Sequence, residues 1–290
     1  MIYVIVGPTA SGKSTLAIEL AKRFNGIVVN GDAFQVYKGM DVGTAKPTKE
    51  ELSEVPHLLF DIFEPTHEFS IFEYQKLLRK TLKENEDKNI FVVGGSGLYL
   101  KSAFYDFTLE ENSSYDMKEY EEKSDDELYE LLKSVDEEAC NKIHKNNRKR
   151  VLRALEIYFS TGKKKSDIEK AQKHEPVFDV LFLGKHIPRD ILYDKINARV
   201  NQMIYLGLFE EVEELMNKYP HDLKSFQAIG YKEIISGYKE NKSKEEIIEE
   251  IKKSTRHYAK RQLTYFNHQL DVKWINSLDE AIALVEESKY

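Results

Sequence analysis

The run Gly7-Pro8-Thr9-Ala10-Ser11-Gly12-Lys13-Ser14 restricts what this chain can fold into more than any other stretch. It matches G-x-x-x-x-G-K-[ST] in full, and its flanks agree with it. Ile2 to Val6 is a short apolar segment that reads as a buried strand, and Lys13 to Phe24 has helical spacing. The glycines let the backbone curl until successive N–H groups face one anion. The helix N-terminus adds partial positive charge, Lys13 adds a full one, and the Ser14 hydroxyl is suited to ligating Mg2+. A chance glycine loop would not bring strand, loop and helix into register. Gly7, Pro8, Thr9, Ala10, Ser11, Gly12, Lys13 and Ser14 are therefore expected to hold linked phosphates, with Ser14 as the metal ligand.

Such a loop calls for a parallel sheet. Continuous apolar runs suggest strands at Gly26–Asn30, Ile90–Val93 and Val180–Gly184, with a weaker candidate at Val272–Ile275. Helical patterns lie between them at Ile71–Glu84, Asp190–Leu206 and Lys244–Phe266. The stretch 110–147 is rich in Glu, Lys, Ser and Asp, with helical spacing at Leu128, Leu131 and Leu132. The expected fold class is α/β: a P-loop NTPase-like parallel sheet flanked by helices, with residues 1–109 and 148–290 as the core and 110–147 as a small helical insertion. Lys163-Lys164-Lys165 after Gly162 reads as a basic turn past a helix end.

Composition excludes several classes. A net charge of −7 over 290 residues argues against non-specific coating of nucleic acid, so any such contact must come from local basic clusters. The single Cys140 excludes an internal disulfide or a multi-cysteine zinc site and fits a cytoplasmic setting. Met1–Val6 is too short for a signal peptide or a membrane span. Nothing resembles a heptad or an exposed apolar stripe, so a monomer is expected.

The loop leaves the reaction open. P-loop ATPases usually place an acid at the end of a second strand to organise metal and water, but Ile90–Val93 runs into Gly94-Gly95-Ser96-Gly97 instead. Asp61 is the nearest substitute, and a strand-end Asp more often serves a turn. Asp32, after the second strand, lies at the carboxyl edge where such sheets bind ligands. It could ligate metal, act as general base, or only cap its turn. The polar loop Gly43–Pro47 reads as a place for substrate contacts.

Beyond the phosphate loop, the chain resembles the bacterial tRNA dimethylallyltransferases (tRNA isopentenyltransferases) over essentially its whole length. The resemblance rests on Asp32 with Gln35-Val36-Tyr37, on Lys38 through Pro47, and on Pro56-His57, Gly94–Tyr99, Arg150–Glu156, Gly230–Glu233 and Tyr258–Gln262. It implies transfer of a dimethylallyl group from dimethylallyl diphosphate to N6 of the adenosine 3′ of the anticodon, with that base flipped into a channel. By motif position, Asp32 corresponds to the general base and Ser96 to the channel hydroxyl, with Lys13 on the diphosphate. Contacts with the tRNA anticodon stem-loop are implied for Asp32, Ala33, Phe34, Gln35, Ser96, Lys118, Lys149, Arg150, Val151, Leu152, Arg153, Arg256, Lys260 and Arg261. The chain departs from the family at Ala33 (usually Ser), Ser96 (Thr), Asn147 (Asp), Tyr265 (Trp) and Asn267 (Arg).

Two basic clusters agree with an RNA partner: Lys142 to Arg153, and Lys252 to Arg261 with Tyr258, Tyr265 and Phe266 interleaved. A solvated helix face is the bland explanation for each. A small-molecule kinase would bind ATP and ignore RNA. An adenylate prenyltransferase would not need the basic clusters, and a non-catalytic RNA-binding module would leave Lys13 and Asp32 without a task.

Overall fold

The computed structural model describes residues 1–107 and 115–288, which divide into two compact units: 1–104 with 178–290, and 105–177. In the first unit, β1 (Ile2–Val6) leads through the phosphate loop into α1 (Lys13–Arg23), followed by β2 (Gly26–Asn30), α2 (Lys49–Glu54) and β3 (His57–Leu58). Then come α3 (Ile71–Glu84), β4 (Asn89–Gly94) and α4 (Gly97–Phe104). All five anticipated strands form. The two-residue β3 was not anticipated, because a pair of half-buried residues carries no periodicity.

Six parallel strands lie in the order β3-β2-β4-β1-β5-β6, with β5 at Val180–Lys185 and β6 at Val272–Ile275. The continuous apolar runs are explained by burial on both faces. Tyr3 and Ile5 pack with Leu16, Ala17 and Leu20 of α1, while Val4 and Val6, pointing the other way, are also fully buried. Register decides where the loops meet. Val6 pairs with Gly94 and Asn30 with Val93, so the loops after β1, β4 and β2 leave the carboxyl edge side by side.

A second core in the first unit joins α10 (Arg189–Tyr205), α11 (Leu208–Lys218), α12 (Tyr231–Lys239) and α13 (Lys244–Gln269) to the loop carrying Val36, Tyr37 and Met40. Helix α14 (Leu278–Glu287) buries Ala281 and Val285 against α1 and the sheet.

The second unit is wider than 110–147. Of the expected insertion, residues 110–114 lie outside the described residues. The unit contains α5 (Lys118–Glu121), α6 (Asp125–Val135), α7 (Glu137–Cys140), α8 (Arg148–Thr161) and α9 (Lys165–Ala171). Residues 148–177 were assigned to the sheet core, but Val151, Ala154 and Leu155 of α8 pack on Leu128 and Leu132 of α6 in a separate core. The Asp136 carboxylate fastens α9 to it, accepting from the Ser166 N–H (3.0 Å), the Ser166 hydroxyl (2.5 Å) and the Ala139 N–H (3.2 Å). Helix α8 ends at Gly162 in the left-handed conformation, ahead of the lysine run as anticipated.

Candidate active site

The phosphate loop forms as its sequence requires. Gly12 sits at the N-cap of α1 with φ 78°, a conformation that favours glycine, and no side chain caps the helix. The first amides of α1 therefore point outward without a capping partner. Ala10 is also left-handed (φ 63°), a small strain held at the tip of the loop. Lys13 leans on the Pro8 carbonyl at 3.4 Å. Two loop amides are committed elsewhere: Ser11 N–H donates to the Pro8 carbonyl at 3.2 Å, and Thr9 N–H donates to Gln262 Oε1 at 2.9 Å, while Gln262 Nε2 donates to the Gly95 carbonyl at 2.9 Å. Gln262 of α13 thus bolts the phosphate loop to the glycine loop after β4.

Across β4 the chain turns at Asp32. The turn is fixed by Asn30, whose Oδ1 accepts from Asp32 N–H (2.8 Å) and whose Nδ2 donates to the Asp32 and Leu59 carbonyls (3.0 Å each). Asp32 Oδ1 accepts from Phe34 N–H at 2.9 Å, so one carboxylate oxygen caps the turn and the other is left for chemistry. Ser96 Oγ accepts from Ala33 N–H at 3.1 Å and also meets the Tyr258 hydroxyl. These contacts need β2 and β4 packed tightly, and they are: a Cβ on Gly94 would lie 2.0 Å from the Gly31 carbonyl oxygen.

The charge of Asp32 is felt by Lys13, Arg199, Tyr74, Tyr99 and Tyr258, which makes this carboxylate the electrostatic centre of the site. Burial, together with the nearby Arg199 guanidinium, brings the Lys13 ammonium down to about 8, against the pull of Asp32. Burial likewise lowers Arg199 and raises Tyr74, Tyr258 and Tyr99, the last to about 12. Four buried side-chain polar atoms lack a protein partner among the described residues. Three of them, Ser11 Oγ, Tyr74 Oη and Arg199 Nε, belong to the phosphate loop or to side chains that sense Asp32. Buried polar groups without partners are rare, and their clustering marks a place where a polar ligand completes the bonding.

Arg199 was missed by the sequence reading, although a signal existed. Leu192, Ile196 and Val200 form the buried stripe of α10, and Arg199 occupies a stripe position where an apolar residue belongs.

The loop Gly43–Pro47, read as a place for substrate contacts, and the residues just before it are braced by the protein itself. The Glu211 carboxylate accepts from the N–H groups of Asp41 (2.9 Å), Val42 (2.8 Å) and Gly43 (3.1 Å) and from the Tyr231 hydroxyl (2.5 Å). Lys46 bonds the Tyr37 carbonyl, Asp41 and Asp61, which gives Asp61 a structural task in place of a metal-organising one. Gln35 Nε2 donates to the Thr44 and Ala45 carbonyls (2.9 and 3.1 Å), and Phe34 packs on the second core. These atoms of Phe34 and Gln35 hold the loop.

Ion pairing sorts the basic clusters. In the second unit, Lys142, Lys145, Arg148 and Arg153 are engaged by Glu169, Asp126, Asp125 and Glu156. Lys149 and Arg150 are exposed and have no side-chain partner among the described residues. They also stand in the first turn of α8, which contains no acid, at the helix end where cations are disfavoured. Val151, expected at an RNA surface, is 1% exposed and belongs to the core of this unit, with Leu152 packed against it. Lys118, at the start of α5, is exposed, with Asp116 at 3.9 Å. On α13, Arg256 donates to Asn197 (2.7 Å), while Lys260 and Arg261 line an open cavity with His257, Thr264, Tyr265 and His268. Arg261 lies 5.6 Å from the Tyr258 ring centroid. Phe266 is fully buried, so it cannot stack on a base as the sequence suggested.

The family described as IPP transferase matches residues 35–269. The chain belongs to that family. Among similar IPP transferases, a protein of Anoxybacillus flavithermus described as a tRNA dimethylallyltransferase is 45% identical over 285 residues, covering 97% of this chain and 92% of its own. One of Bacillus pumilus with the same description is 43% identical, covering 95% and 89%. The crystal structure of a tRNA delta(2)-isopentenylpyrophosphate transferase from Staphylococcus epidermidis superposes with a TM-score of 0.73 at 42% identity, covering 99% of this chain and 98% of that one. A eukaryotic dimethylallyltransferase described as acting on tRNA gives 0.86 at 28% identity, covering 99% and 78%. Among the described residues, no helix is long and apolar enough to cross a membrane.

Proposed function

We propose that this chain transfers the dimethylallyl group of dimethylallyl diphosphate to N6 of the adenosine 3′-adjacent to the anticodon in tRNA, releasing diphosphate. The observation that carries this reading is the position of Asp32, whose charge is felt both by the cations of the phosphate site and by a wall of tyrosines. In the transfer, the C1–O bond of the donor breaks, N6–C1 forms, and the N6 proton passes to the second oxygen of Asp32. An exocyclic amine is a poor nucleophile until that proton is accepted.

Charge develops on the leaving diphosphate, which the α1 amides and Lys13 would stabilise, with the buried Arg199, near enough to act on Lys13, adding positive charge to the site. The donor set suits Mg2+. No cluster of three His, Cys, Asp or Glu able to hold a metal exists among the described residues. A single Ser14 hydroxyl beside two linked phosphates is the arrangement in which Mg2+ takes one protein oxygen and several substrate oxygens. Bound there, Mg2+ would offset leaving-group charge. Ser96, held between Ala33 N–H and Tyr258, orients the base edge. Tyr74 and Tyr99, 5.4 Å apart in an edge-on pair, shield the reacting carbon from water.

In this reading Lys260 and Arg261 of α13 contact the RNA, as do the exposed cations Lys118, Lys149 and Arg150; flipping delivers the base. The same reading takes the protein to be a cytoplasmic monomer. The test is to incubate it with dimethylallyl diphosphate, Mg2+ and unmodified tRNA, then digest the RNA and weigh its nucleosides. One five-carbon prenyl unit on the adenosine beside the anticodon is expected. Unaltered RNA, with ATP phosphorylating a metabolite instead, would replace this reading with a kinase.

A further inference from the structure

Lys185 closes β5, and nothing above uses it. In the parallel register Val6 pairs with Gly184, so Lys185 stands one step on, beside the start of the phosphate loop. Side chains alternate along a strand, so Lys185 shares a face with Leu183, and Leu183 packs among Leu16, Ala17 and Leu20 of α1. The lysine stem therefore runs toward the N-terminus of α1. Its Nζ ends there, 3.8 Å from where a Cβ on Gly12 would sit.

This placement is electrostatically unfavourable by itself. An ammonium is disfavoured at a helix N-terminus, and α1 has no acid in its first turn and no capping side chain. No hydrogen bond or ion pair neutralises Lys185 among the described residues, whereas Lys142, Lys145, Lys165 and Lys170 of the second unit each find a carboxylate. Ser11 Oγ, 1% exposed within the same loop, also lacks a partner. Ser11 Oγ turns toward Gly7, 2.9 Å from where a Cβ there would sit, so the loop holds a buried orphaned hydroxyl at one end and two uncompensated positive features at the other, and an anion seated in the loop would reconcile them.

We propose that Lys185 is a second phosphate-binding lysine, contacting the terminal phosphate of the donor diphosphate from the Gly12 side while Lys13 reaches from the Pro8 side. The proposal rests on the prenyl-transfer reading above. The terminal phosphate is assigned because Lys185 lies at the rim of the loop, on the β5 side of β1, whereas Asp32, which meets the acceptor, lies beyond β4 on the other side.

The test compares Lys185→Met, Lys185→Arg and the parent in steady-state prenylation, with two inhibitors: inorganic diphosphate and dimethylallyl monophosphate. For Lys185→Met the expected result is a KM for dimethylallyl diphosphate and an inhibition constant for diphosphate each raised about tenfold, the low end for a charge-assisted contact at a half-exposed site. The monophosphate constant, kcat and the KM for tRNA stay within twofold (about the scatter of such assays), and Lys185→Arg recovers most of the loss. Equal weakening of both inhibitors would overturn assignment to the terminal phosphate. A shift confined to the KM for tRNA and its salt dependence would make Lys185 an RNA contact instead. A parent enzyme that transfers no prenyl group and ignores both inhibitors would remove the underlying reading, a failure separable from that of Lys185.

Discussion

Raising the pH through the titration of Lys13 should loosen the donor by a calculable amount. Its ammonium is brought down to about 8 by burial and by Arg199. It is then roughly nine-tenths charged at about pH 7 and roughly one-tenth charged at about pH 9. A bound diphosphate sets negative charge against the ammonium and restores its ordinary value, so tight binding selects the charged form. Between those two conditions affinity should fall about tenfold, or about 1.4 kcal/mol. The ligand of choice is the thiolodiphosphate analogue of the donor, which does not react and whose phosphates are already ionised across this window. Isothermal titration in two buffers of different ionisation enthalpy should also show uptake of about half a proton near the midpoint. Affinity that stays flat across the window would refute the argument. So would a Lys13→Met variant that retains the same decline, because the titrating group would then lie elsewhere.

Three further perturbations separate the parts of the site. Asp32→Asn keeps the cap to Phe34 N–H but removes the base; kcat should drop about a hundredfold with tRNA affinity within about twofold, and an equal loss of binding would make the residue structural. Removing Lys149 and Arg150 together should weaken tRNA binding and flatten its salt dependence by about one unit per charge, while α8 melts no lower, since cations in its first turn oppose the helix dipole; an unchanged salt slope would exclude both as contacts. Asp136→Ala should cost the second unit roughly 3 kcal/mol, read as faster amide exchange in α6 and α9. Burial would raise the Asp136 carboxyl, but the Ser166 hydroxyl and the Ser166 and Ala139 amides outweigh it and hold it below the ordinary value. Its contribution is therefore complete above the unfolded aspartate range and disappears as pH falls through the folded value. Asp136→Asn should abolish that acid sensitivity; a variant retaining it would point to another carboxylate.

The sheet was legible because a strand buried on both faces has no polar alternation to confuse it, as Tyr3 to Val6 and Phe91 to Val93 illustrate. The phosphate loop was legible because backbone geometry dictates its residues. The limits of the second unit were not. Helix α8 begins Arg-Lys-Arg, and its charge hides the buried trio Val151, Ala154 and Leu155 that ties it to α6. The loop at Gly43–Pro47 looked free because the carboxylate that captures its start, Glu211, lies far along the chain and no local pattern encodes that meeting. Lys185 escaped for the same reason, since it joins the site through the packing of β5 and carries no motif, whereas Arg199 left one local sign, a charge on the buried stripe of α10. At two of the five departures from the family pattern the contact is visible: Ser96 meets Ala33 N–H with its hydroxyl.

At the root of the account, the cradled diphosphate is a leaving group and the attack falls on carbon. Dimethylallyl diphosphate carrying oxygen-18 in the bridge between C1 and phosphorus tests this in one turnover with unmodified tRNA. The heavy oxygen should leave entirely with the released diphosphate, and the prenylated nucleoside should contain none. Heavy oxygen retained in dimethylallyl alcohol, with the phosphoryl group passed to an acceptor, would mean that the P–O bond had broken and that the loop serves a phosphotransferase.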